Sequence, residues 1–181
     1  MSASSLEKSK ALFIRRWGEM GIYWGINRTM AEIHALLYIS EKSLCADDLM
    51  AELQISRGNA SMNIRGLVDW GLVSRVHKRG DRKEYFVCET DVWQMFSTIT
   101  RERKRREVEP IIETIQRCCD MIETEREQLH GDDATQAAIY QERLVNMLEF
   151  LTTMNRLLNL ILKMGGAQIN ELSGTLAKLA E

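Results

Sequence analysis

The chain has 181 residues, with 24 Lys/Arg against 26 Asp/Glu and a formal net charge of −2. That mildly acidic total argues against a protein that coats polyanions indiscriminately. No apolar run approaches the roughly 20 residues that span a bilayer, and the N-terminus, MSASSLEKSK, lacks the apolar segment of a secretion signal, so a cytoplasmic, membrane-free protein is expected. One proline and many helix-forming residues predict a mostly helical chain. Four cysteines (45, 88, 118 and 119) lack metal-site spacing, which suits a reducing compartment.

Residues 5 to about 26 predict a first helix. Phe13, Trp17, Met20 and Trp24 recur on one stripe. Gly18, Gly21 and Gly25 interrupt it, and glycine costs about 1 kcal/mol inside a helix. Three of them suggest close packing, a bend or room for a ligand. Thr29 with Glu32 makes a capping-box pattern for a second helix running to about Ser40. After a polar turn, Ala46 to Leu53 predicts a short third helix, and Gln54-Ile55 leads into the next.

The stretch from Ser56 to Glu89 carries the strongest signal. Ser56 is placed to cap a helix, Ala60, Ile64, Leu67 and Val68 form its apolar face, and Gly71 stops it. Gly58, Asn59, Met62, Arg65 and Gly66 lie opposite, with Ser61 at the edge. A hairpin follows: Leu72 to His77, a turn containing Gly80-Asp81, then Tyr85 to Cys88. Seven Lys/Arg and two acids lie between Arg57 and Lys83, a local +5. A helix slim enough for a major groove, followed by a cationic hairpin, predicts a winged helix-turn-helix that binds duplex DNA. The alternative for the hairpin is a merely solvated charged loop.

Asp91 can cap a long helix beginning at Val92. Within it, Arg101 to Arg106 has no apolar residue, and is either solvated or near phosphate. Pro110 must kink or restart the helix. Ile111, Ile115, Cys118 and Ile122 then resume an apolar stripe. Glu107 to Asp133 holds nine acids and two arginines, so this part is expected to face away from DNA. Gly131-Asp132-Asp133 reads as a break with Asp133 as cap. Residues 134–164 show an a/d seam including Leu144, Met147, Leu151, Met154, Leu158 and Ile161, which predicts pairing with a second subunit. Gly165-Gly166 ends that helix, and a short amphipathic helix follows. The expected organisation is an N-terminal helix (1–26), a winged helix-turn-helix (27–90) and a helical dimerisation region (91–181). The fold class is mainly α, with a two-stranded wing hairpin and long C-terminal helices.

FIRRWGEMGIYWGINRTMAEIHALL, SRGNASMNIRGLVDWGLV and VHKRGDRKEYF followed by ETDVW, in that order, resemble the MarR superfamily of winged-helix regulators, and within it the GbsR-type branch. The resemblance covers about residues 10–115. It implies a homodimeric regulator, by analogy a repressor, on a pseudo-palindromic operator. Arg57, Asn59, Ser61, Met62 and Arg65 would face the major groove, with Ser56 and Ser61 holding phosphate. Asp81 would orient Arg82 at the minor groove, and Lys78, Arg79 and Lys83 would add phosphate contacts. The branch's link to osmoprotectant genes implies a quaternary ammonium effector in an aromatic box of Trp17, Tyr23, Trp24 and Trp93; ordinary core packing of Trp17 and Trp24 is the competing reading.

An enzyme is not expected. His34, His77 and His130 are scattered, and no nucleophile elbow, phosphate loop or metal motif is present. No cofactor is expected. Two alternatives stay open: a winged-helix protein–protein scaffold, and a regulator sensing redox state through Cys118 and Cys119. In the second, Cys118 lies on the apolar stripe and Cys119 is free to bridge subunits.

Overall fold

The computed structural model describes residues 4–23 and 25–179. They form two compact units, 1–99 and 100–181. In the first, helix α1 (Ser5–Tyr23) packs on α2 (Arg28–Tyr38). A Cβ at Gly21 would stand 2.7 Å from Ala31 Cβ, so the helices meet at this separation only because Gly21 has no side chain. The cap of α2 differs from expectation. Asn27, not Thr29, is the N-cap, and its side chain accepts from Met30 N at 3.2 Å. Glu32 instead takes Arg28 Nε at 2.8 Å.

Strand β1 (Leu44–Cys45), α3 (Ala46–Leu53) and α4 (Arg57–Asp69) follow, then strands β2 (Val73–His77) and β3 (Glu84–Cys88). The sheet has the antiparallel order β1-β3-β2. Two residues are too short to announce a strand, so β1 was not foreseen; it pairs Leu44 with Phe86 and Cys45 with Tyr85, covering the outer edge of the hairpin. Ile33, Leu36, Leu49 and Leu67 are fully buried at the centre of the core, against Phe86 of β3 and Met95 of the next helix.

That helix, α5 (Val92–Arg103), is capped by Asp91 Oδ1, which accepts from Trp93 N at 2.8 Å and Gln94 N at 2.9 Å. A π-helical turn (Lys104–Val108) links it to α6 (Glu109–Glu125), so the chain restarts its helix where Pro110 enters the first turn. The basic run is paired with neighbouring acids: Arg105 and Arg106 with Glu102, Arg103 with Glu107, and Lys104 with Glu109.

In the second unit, α6 packs on α7 (Gly131–Lys163), and α8 (Gly166–Leu179) follows. Gly131-Asp132-Asp133 is not a break but the first turn of α7. His130 is the N-cap, and the two aspartates lie where the helix dipole favours negative charge. On α6, Ile115, Cys118 and Ile122 of the expected stripe are half-buried. Cys119 is buried while Ile111 is 51% exposed. Burial raises the Cys119 thiol above its ordinary range, with Asp120 and Cys118 adding to the effect. A thiol held protonated is poorly suited to redox exchange.

Candidate nucleic-acid interface

Helix α4 is fixed at both ends by its own sequence. Ser56 Oγ accepts from Asn59 N at 3.3 Å. At the other end Gly71, at φ +75°, donates to Val68 O, and Leu72 donates to Leu67 O. This pair of bonds satisfies the last carbonyls and turns the chain straight into β2. Ala60, Asn63, Ile64 and Leu67 are buried. Arg57, Ser61, Met62 and Arg65 are exposed, and Met62 is 63% accessible. Gly58, Ser61, Met62, Arg65, Gly66 and Asp69 line a shallow surface groove.

Asn59 does not join that face. Its Nδ2 donates to Thr29 Oγ1 at 3.4 Å, and its Oδ1 accepts from Asn63 Nδ2 at 2.6 Å. Asn63 Nδ2 also reaches Asn59 O at 2.8 Å. The amide expected to read a base is turned inward, and the exposed set becomes Arg57, Ser61, Met62 and Arg65.

The wing is braced by Asp81. Its Oδ2 accepts from the Tyr85 hydroxyl at 2.7 Å and its Oδ1 from Lys83 N at 3.0 Å. The Tyr85 bond, helped by the backbone donors, holds the Asp81 carboxyl below the usual carboxylate range. Lys78 Nζ lies 3.6 Å from the centroid of the Tyr85 ring. Asp81 therefore orders the turn and Tyr85; no bond to the Arg82 guanidinium is formed among the described residues. Arg79 and Arg82 are exposed.

One contributor was not foreseen. Asp47, on α3, accepts from Arg57 Nη2 at 3.3 Å and lies 2.9 Å from Lys83 Nζ. The Lys83 pKa is raised chiefly by that contact. One carboxylate thus ties the start of α4 to the wing. Its position one helix before α4 was the only sequence signal available.

Among the described residues, Trp17, Tyr23 and Trp93 do not gather into an aromatic box. Trp24 lies outside the described residues, and Tyr23 is 88% exposed. Trp93 meets Phe96 edge-on at 6.2 Å. Trp17 stacks on His34, with ring centroids 6.0 Å apart, beside a cavity of about 250 Å³ within the first unit. Burial lowers His34 to about 4, so its imidazole is neutral near pH 7. Among the described residues no three His, Cys, Asp or Glu gather as a metal site, and no helix is long and apolar enough to cross a membrane.

Residues 24–84 match the sequence profile of the MarR family. The chain is 26% identical over 113 residues to the HTH-type transcriptional repressor GbsR of Bacillus subtilis (strain 168), an alignment covering 62% of each protein. A second protein of that organism, YvaV, is 24% identical over 94 residues, covering 52% of this chain and 53% of YvaV. The chain thus spans less than two thirds of the length of these relatives. A crystal structure of a transcriptional regulator superposes with a TM-score of 0.55 at 20% identity, covering 86% of this chain and 96% of that one, which shows a shared fold.

Proposed function

We propose that the chain, whose residues 24–84 match the MarR family profile, is a winged-helix regulator of that kind: a sequence-specific DNA-binding transcriptional repressor acting as a homodimer in the cytoplasm. The carrying observation is the exposed set on α4, Arg57, Ser61, Met62 and Arg65, beside a wing whose Arg79 and Arg82 also face solvent. In this reading α4 enters the major groove, where arginine can pair with guanine O6 and N7. Arg82 reaches the minor groove, and Lys78, Arg79 and Lys83 neutralise phosphates. Asp81 acts on the turn that presents Arg82.

The homodimer reading rests on α7. Among the described residues none of its side chains is buried, and Met147, Met154 and Ile161 are exposed while Leu144, Leu151 and Leu158 are half-buried. A 33-residue helix with an apolar seam left open to solvent calls for a second copy.

A small-molecule effector belongs to the same reading. The quaternary-amine form requires Trp17, Tyr23, Trp24 and Trp93 to converge, and of the three described residues only Trp17 lines the cavity.

The test is titration of the protein against duplex DNA from upstream of its own gene, with unrelated duplex as competitor, at two salt concentrations. Saturable binding that survives competitor and weakens steeply with salt is expected. Absence of binding at low salt overturns the reading, and the open seam of α7 would then favour a protein scaffold.

A further inference from the structure

Among the exposed residues of α4, Met62 is the one that hydrogen bonding does not explain. Ser61 and Arg65 can meet phosphates or the polar edges of bases, whereas a thioether is at most a weak acceptor. Yet Met62 is 63% exposed, in a shallow groove whose other walls are Gly58, Ser61, Arg65, Gly66 and Asp69. A single exposed apolar side chain is common on protein surfaces and by itself signifies nothing. The backbone around Met62 sets it apart.

Gly58 stands one helical turn before Met62 and Gly66 one turn after it, both within α4. Alanine is favoured over glycine at helical positions. A Cβ at Gly66 would meet Met30 Cε at 3.4 Å and Sδ at 3.5 Å, ordinary contact with the chain's own core. Among the described residues, a Cβ at Gly58 would meet nothing within 4 Å. The space that Gly58 leaves is therefore not used by the fold. A thioether rises from bare backbone, on the helix face whose arginines favour a polyanion.

Glycine suits a helix whose backbone must come close to a ligand. In the major groove, base pairs present hydrogen-bond donors, acceptors and one hydrocarbon group, the C5-methyl of thymine. We propose that Met62 covers a thymine methyl in each half-site, and that Gly58 lets α4 sink far enough into the groove for it to do so. This contact rests on the DNA-binding reading and narrows its target: the operator carries an A·T pair whose thymine is held by apolar contact, which the polar Ser61 and Arg65 do not supply.

The test uses duplex from upstream of the chain's own gene, made once with thymidine and once with deoxyuridine, which keeps every hydrogen-bonding group and lacks only the methyl. Wild type, Met62→Ala and Gly58→Ala are titrated against both by fluorescence anisotropy. Wild type should bind the deoxyuridine duplex about fourfold more weakly for one covered methyl and up to about fifteenfold for two. Met62→Ala should bind the thymidine duplex more weakly by a similar factor and no longer distinguish the two. Removing every methyl also changes how the duplex deforms, but that change reaches both proteins alike and cancels in the comparison. Gly58→Ala should melt no lower than wild type yet lose affinity for the thymidine duplex by at least about threefold. Equal binding of the two duplexes by wild type, or a preference of the same size in Met62→Ala, would overturn the methyl contact. Undiminished affinity in Gly58→Ala would overturn the close approach. Binding to neither duplex would overturn the DNA-binding reading, and this contact with it.

Discussion

The Asp47 carboxylate lies 2.9 Å from the Lys83 ammonium, joining α3 to the wing through a charge that DNA would also seek. Its other oxygen holds Arg57 at 3.3 Å. Asp47 stands where a phosphate oxygen would compete for the same two cations. Asp47→Asn is therefore expected to raise affinity for unrelated duplex by about three- to tenfold and to steepen the salt dependence by up to about two phosphate contacts. Both are read from fluorescence anisotropy across a salt series. Unchanged affinity and slope would mean that the pairs dissolve in solution, as exposed ion pairs often do.

Arg82→Ala separates wing contact from wing folding. The guanidinium supports no part of the hairpin, whereas Asp81 and Tyr85 do. The variant should melt with the wild type yet bind its specific duplex about tenfold more weakly. Full affinity in a gel shift would remove Arg82 from the interface.

The seam of α7 makes a prediction about mass. Wild type should elute with light scattering at twice the 20.9 kDa of one chain. Met147→Glu together with Met154→Glu places charge on two exposed seam positions and should yield monomer, because burying unpaired carboxylates at an interface is unfavourable. A wild-type mass of 20.9 kDa would refute the dimer.

His34 links stability to pH. Its folded pKa is lowered to about 4 by burial, while the unfolded chain titrates near 6.5. Between those values the unfolded state binds more protons, so stability falls as pH is lowered from about 6.5 to 4, by up to about 3 kcal/mol. Denaturant midpoints across this window should shift less in His34→Leu than in wild type. Parallel shifts in the two proteins would assign the pH dependence to other groups.

The helix-turn-helix and wing were legible because their signals are local. Ser56, Gly71 and the spacing of Ala60, Ile64 and Leu67 act within one helix, and the turn at Gly80-Asp81 within one hairpin. Asn59 misled because the direction of its amide is set by Thr29, on another helix. Asp81 misled for a related reason: Arg82 is its neighbour in sequence, but Tyr85 is its partner across the turn. On α6, apolar doublets at Ile111-Ile112 and Cys118-Cys119 permit two stripes one residue apart, and spacing alone could not choose between them. The surroundings of His34 were hardest to foresee. Its Nε2 has no hydrogen-bond partner among the described residues, which arises from the packing of α1, α2, α4 and α5 together and leaves no periodic trace.

Half-buried Asn59 donates to Thr29 on α2 and accepts from Asn63, on the flank of α4 between its buried face and the exposed Ser61, Met62 and Arg65. In the proposed DNA-binding reading, seating and base contact fall to different residues of one helix. Substitutions among the three exposed positions would alter which base edges are met while leaving the core unchanged. For a lineage of regulators, a new target sequence is then reachable in single steps that folding does not oppose. On that reading, divergence of an operator would be limited by what the DNA tolerates rather than by the protein's stability.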